Sequence, residues 1–206
     1  MTSVINIGVV VSFLFAMISL IIMIGRTRRF GNNPLYAREQ GDIKKGIVYA
    51  FVKGMTPWEK ESARNHLPTY IFGVVYHIGI FITLIFLFSI VLRISLPFFI
   101  IYILRYSSLI GFVCGMSLFF KRIFSSLLRG ISDPDDYISN LLVDNFLLFG
   151  FLSTYSVGFI IPFGIISIIL FLYIPLGKIR HCAFFFVERI LFGMFYGRRG
   201  VYPTNR

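Results

Sequence analysis

Apolar residues run along this chain in long blocks divided by short basic stretches, rather than at the spacing of an amphipathic helix. Val4 to Ile24 holds no charged residue, and about 20 such residues in a helix cross a hydrocarbon core ~30 Å thick. The arginines, glycines and Pro34 of the following GRTRRFGNNP are expected to end that helix at a membrane surface. In TPWE, Thr56 is placed to cap a helix, Pro57 to occupy its first position and Glu59 to complete a capping box. That helix is predicted to run through EKESARNH and continue as a span over 67–92, kinked at Pro68. A third span over 95–120 is turned by Pro97 and ended by Lys121 and Arg122. SDPDD at 132–136 reads as a turn or cap. The apolar stretch beyond it is too long for one crossing and divides near Tyr155–Gly158 into spans 138–156 and 158–179. With the first span over 4–24 and a polar loop over 25–66, the pattern predicts an all-α membrane protein. The whole chain, 1–206, would be one domain, a five-transmembrane-helix bundle.

Composition supports lipid as the solvent. The chain is 57% hydrophobic and 14% charged, about half the charge density of a soluble domain, with a mean hydropathy of +0.82. A net charge of +11 raises the question of nucleic acid. Yet every Lys and Arg except Arg93 and Arg105 lies in 26–64, 121–129 or 178–206, beside the apolar blocks. That distribution orients a membrane protein and argues against a nucleic-acid partner. Five spans with the N-terminus outside put all three basic segments, and the C-terminus, on the cytoplasmic face. The first 24 residues lack a basic leader and run apolar for too long to be a cleaved signal, so they read as a retained span. Cys114 and Cys182 form neither a disulfide framework nor a CxxC site, and two thiols cannot hold an iron–sulfur cluster. No phosphate loop, dinucleotide fingerprint, HExxH or Ser/His/Asp arrangement is present.

Three histidines are the residues best suited to chemistry. His66 and His77 bracket LPTYIFGVVY; on one continuous helix they differ by ~20° in azimuth and ~16 Å in height. Both would then face the same neighbour, with Gly73 on that face clearing space for a flat body. His181 follows YIPLGKIR at the cytoplasmic end of the last span, at a depth matching His66. Two imidazoles from different helices at one depth are what a bis-histidine haem b requires. Lys178, Arg180 and Arg64 are placed to neutralise haem propionates, and Arg105 to meet a propionate, a quinone carbonyl or Asp144. The competing reading makes the histidines hydrogen-bonding residues at helix contacts, or solvated ones at the surface. Asp144 and Asn145 read as residues that start the fourth span, Cys114 and Met116 as packing residues. Trp58 and the tyrosines suit the membrane interface.

MTPWEKESARNHLPTYIFGVVYHIGIF, with YIPLGKIRHCAFFF and FYGRRG far downstream, resembles the b-type cytochrome subunits of the nitrate reductase gamma family. The likeness is nearer to the membrane cytochromes paired with heterodisulfide-reductase-like iron–sulfur proteins, the sulfite-reduction-associated type. It implies a quinone-reactive haem protein of a prokaryotic cytoplasmic membrane. Such a protein is an electron-transfer subunit, not catalytically complete alone. Its implied partners are menaquinone or ubiquinone, membrane lipid and an iron–sulfur subunit on the cytoplasmic face. By the family pattern His66 and His181 match the cytoplasmic-side haem b and His77 the outer-side one. The outer partner is expected about five turns before His181, where IIPFG offers no ligand and Phe163 stands instead. That leaves one haem with His77 free for quinone, a five-coordinate second haem, or a ligand from elsewhere. A haem-free scaffold or transporter subunit is the alternative from a different class.

Overall fold

The computed structural model describes residues 3–30 and 38–202. Among them all regular structure is helical: α1 (Ser3–Phe30), α2 (Ile43–Phe51), α3 (Glu61–Asn65), α4 (Leu67–Val91), α5 (Phe98–Phe124), α6 (Ser126–Gly130), α7 (Pro134–Ser153), α8 (Ile160–Tyr173) and α9 (His181–Arg198). Segments Ser3–Thr27, Leu67–Val91 and Phe98–Phe124 are long and apolar enough to cross a membrane, and a bent pair, Val157–Tyr173 with Lys178–Arg198, makes a fourth if it acts as one span. These are the marks of a multi-pass membrane protein. The chain divides into two compact units, Met1–Ile18 with Pro68–Ile179, and Ser19–Leu67 with Arg180–Arg206.

The first unit packs α4, α5, α7, α8 and the start of α1 around Phe86, Leu87, Phe146, Phe163 and Phe171. The Phe163 ring stacks on Phe86 at 6.0 Å and meets Phe146 at 5.2 Å, tying α8 to α4 and α7. Small residues let helices approach where lipid gives no hydrophobic drive to associate. A Cβ on Gly79 of α4 would lie 2.9 Å from Gly111 Cα of α5. One turn on, Thr83 and Ser108 share a hydrogen bond of 2.8 Å between the same two helices. Outward faces keep bulky apolar side chains such as Phe81, Ile85 and Tyr106 exposed, which suits lipid contact.

In the second unit α2 crosses α9 at backbone contact. A Cβ on Gly46 would strike Gly193 O and come within 2.5 Å of Gly197 Cα. Gln40 and Gly41 donate their N–H groups to Arg198 O at 2.9 and 3.2 Å, satisfying a carbonyl that the end of α9 leaves open. Asp42 caps α2 by accepting from Lys44 N and Lys45 N, and Tyr49 stacks on Tyr202 at 4.7 Å.

Several expected boundaries move. α1 runs on to Phe30, through Gly25 and the arginines that were expected to stop it; Gly31 to Pro34 lie outside the described residues. TPWE forms a single 3-10 turn over Pro57–Glu59 with no side-chain cap from Thr56. Thr56 Oγ1 instead donates to Lys53 O at 2.7 Å, and Glu59 accepts from Tyr49 Oη at 2.7 Å. The predicted continuous helix with a kink is two helices broken at His66, and Pro68 falls in the first turn of α4, where its missing N–H costs nothing. SDPDD does cap: Asp133 and Asp136 form a reciprocal capping box at the start of α7, with Pro134 at its first position. The segment after Lys178, expected to be a tail, contains helix α9.

Candidate functional site

His66 occupies the break between α3 and α4, with φ −127° and ψ 45°, and its side chain is exposed. His181 opens α9 after a 3-10 turn over Lys178–Arg180 and is exposed as well. Both belong to the second unit. Because His66 leaves the α4 helix, the ~20° azimuth shared with His77 on one continuous helix does not hold. A residue with these dihedrals re-aims its side chain independently of the span.

His77 lies in the third turn of α4, exposed, and its Nδ1–H donates to Gly73 O at 2.6 Å. A carbonyl can only accept, so this bond fixes the tautomer. It is also the arrangement that orients imidazoles whose other nitrogen binds a metal. Gly73 has open space where a Cβ would sit, so the α4 surface beside His77 is indented. Phe163, which stands where the outer ligand was expected, is fully buried between Phe86 and Phe146. A ring packed there supplies no ligand.

The basic residues expected around a propionate separate into two groups. Lys178 Nζ pairs with Asp133 at 2.8 Å and Asp136 at 2.7 Å, while its N–H donates to Asp135 at 2.7 Å. It therefore clamps the start of α7. Arg105 donates to Thr154 Oγ1 at 3.0 Å and Thr154 O at 2.8 Å and lies 3.8 Å over the Tyr155 ring. Its guanidinium serves an open carbonyl at the end of α7 and makes no ion pair with Asp144. Arg64 and Arg180 are exposed beside His66 and His181 in sequence.

Sequence reasoning passed over Asp144. Instead of starting a span at the membrane surface it is 1% exposed, deep in the first unit. Its Oδ2 accepts from Asn140 Nδ2 at 2.8 Å, whereas Oδ1 has no hydrogen-bond partner among the described residues. The spacing Asp136, Asn140, Asp144, one face of α7 at successive turns, was the available signal.

In the second unit an open groove of about 430 Å³ is lined by Lys44, Lys45, Val48, Tyr49, Val52 and Lys53. None of the histidines lines it. Burial, and then the bond to Glu59, push the Tyr49 phenol up to about 12, so it remains a neutral donor. The same bond holds Glu59 below the usual carboxylate range. Lys53 reaches Glu59 at 3.4 Å, which leaves the groove wall predominantly cationic. Among the described residues no group of three or more His, Cys, Asp or Glu is placed to hold a metal ion; a bis-histidine haem needs two. No known protein family, curated protein or solved structure matches this chain.

Proposed function

We propose that this chain is the haem b membrane subunit of a quinone-linked respiratory oxidoreductase, passing electrons between membrane quinol and an iron–sulfur partner at the cytoplasmic face. The observation that carries the reading is that His66 and His181 are both exposed, at helix ends, within one compact unit. Two imidazoles from separate helices are the ligand number that one bis-histidine group needs. For a second group Phe163, buried in the core where the outer ligand was expected, offers no imidazole. His66 and His181 would supply the axial imidazoles, and exposed Arg64 and Arg180 would offset the propionate charge. His77, oriented by Gly73 O, would lie beside the quinone. When bound, the haem supplies one-electron redox chemistry, which the protein tunes through ligands and dielectric.

The topology that accompanies this reading is five spans, with α7 and α8 as the fourth and fifth. The N-terminus lies outside and the basic segments lie in the cytoplasm of a prokaryotic cell. The α2–α9 platform would then face the cytoplasm, its lysine-lined groove suited to an acidic surface on the iron–sulfur subunit. A haem-free scaffold or transporter subunit is the second reading, and the buried Asp144 favours it, since intramembrane carboxylates mark ion and proton pathways.

A reduced-minus-oxidised spectrum of the purified protein, expressed with ample haem, separates the two. An α-band that His66→Ala and His181→Ala each abolish and His77→Ala spares supports the cytochrome. No α-band, or one lost only in His77→Ala, sinks this assignment.

A further inference from the structure

The face of α7 that carries Asp136, Asn140 and Asp144 forms a polar strip leading inward from the helix start. At its outer end Asp136 pairs with Arg122 of α5 at 3.3 Å and with Lys178 at 2.7 Å. One turn in, Asn140 Nδ2 reaches Asp144 Oδ2 at 2.8 Å, Tyr76 Oη at 3.4 Å and Gly115 O at 3.5 Å. A further turn in, Asp144 is sealed from solvent. The strip then ends: Phe146 and Leu147 are fully buried, and Phe163 closes on Phe146.

The neighbours leave the carboxyl no counter-charge. From α4 the titratable group facing it is Tyr76, whose ring crowds the same spot. From α5 it meets Gly115, where a Cβ would collide with Asp144 Oδ1 and with the Tyr76 ring. Cys114, next to Gly115, is a free buried thiol. On α7 itself the nearest ionisable groups are Tyr137 and Asp136, two turns away, and Asp136 is already paired. Among the described residues Asp144 has no ion pair; the Asn140 amide donates to Oδ2, the Tyr76 hydroxyl is the other donor beside the carboxyl, and Oδ1 has no partner in hydrogen-bond geometry. An ionised carboxylate so enclosed lacks the cation that sustains buried charge. The Asn140 amide, a donor aimed at the carboxyl, also disfavours a metal cation in its place.

We propose that Asp144 is a proton-binding site inside the helical bundle, loaded and unloaded from the Asp136 end along this face of α7. The step is an exchange: the proton leaves the Asp144 carboxyl for a water at Asn140, and an equal proton returns from solvent by way of the Asp136 end. Asn140 keeps the wall polar enough to hold that water, and Phe146, Leu147 and Phe163 block onward passage. Such a dead-ended inlet suits a protein that takes up or releases protons on one side only. The site stands whether or not the chain carries haem.

Infrared spectroscopy of the full chain in detergent tests it. A protonated-carboxyl C=O band is expected at neutral pH, absent in Asp144→Asn and downshifted when aspartate is ¹³C-labelled. In D₂O the band shifts as the proton exchanges, and Asn140→Leu slows that exchange by about tenfold or more, equivalent to ~1.4 kcal/mol of added barrier. The ¹³C shift assigns the band to an aspartate even where Asp144→Asn does not fold, and among the described residues Asp144 is the buried one. No labelled band at neutral pH, exchange unchanged by Asn140→Leu, or a band removed by sodium at constant pH would each overturn the proposal, the last in favour of a cation site.

Discussion

Gly46→Ala is the most direct test of the α2–α9 crossing. The added Cβ would strike Gly193 O and stand 2.5 Å from Gly197 Cα, where ordinary contact begins near 3.4 Å. Both obstacles are backbone of the facing helix, so no side chain can swing aside and the helices must separate by roughly 1 Å. Overpacking of this kind costs up to ~3 kcal/mol. The helix propensity of alanine over glycine returns ~1 kcal/mol, for a net loss of ~2 kcal/mol. At ~2–4 °C per kcal/mol for a chain of this length, the midpoint of thermal unfolding should fall by ~4–8 °C. Gly73→Ala is the internal control: nothing lies within 4 Å of its Cβ position, so the same substitution should be neutral or stabilise by up to ~1 kcal/mol. Thermal unfolding in one detergent, followed by far-UV circular dichroism, compares the pair. A Gly46→Ala protein as stable as the wild type would refute the close crossing. Equal losses from both variants would show that glycine flexibility, not proximity, is being measured.

Phe163→Ala, which empties a fully buried ring site between Phe86 and Phe146, should cost ~3–5 kcal/mol and lower the same midpoint by ~6–20 °C; a small loss would mean that the ring faces lipid. The start of α7 should be acid-sensitive, because the hydrogen bond from Lys178 holds the Asp133 carboxyl below its usual range. A carboxyl whose folded value is depressed stabilises the fold above its unfolded value, ~3.9, and loses that contribution as pH falls through the folded one. Amide-exchange protection of the first turn of α7, corrected for intrinsic rates, should therefore be flat from neutral pH down to about pH 4 and decline below it. Asp133→Asn should remove the decline, and an unchanged profile would dissociate Lys178 from the cap.

Much of the helical frame was legible because its cause is local. A run such as Val4–Ile24 or 67–92 must satisfy its own backbone in lipid, and only a helix does so within one segment. The break after Ser153 and the Asp133–Asp136 cap were equally local, being written in STYSVG and SDPDD. TPWE failed for an instructive reason. Its capping chemistry was present, but Glu59 found a partner in Tyr49, ten residues back on α2, and the capping box gave way to that bond. Helix α9 was hidden because basic residues dispersed among phenylalanines resemble a tail until Gly193 and Gly197 find Gly46.

By itself, then, the chain settled its solvent, its helical class and the identity of its scarce chemical residues, since these depend on composition and on contacts within a few residues. Tertiary structure decided which of those residues face what. It moved His66 off the α4 face, committed Lys178 to an acidic cap and Arg105 to a helix end, and closed Phe163 into the core. It also turned Asp144 from a residue at the membrane surface into a buried one. The physical reason is common to all of these. A long charged or aromatic side chain has several partners it can reach, and only the packing of distant helices fixes which one it meets.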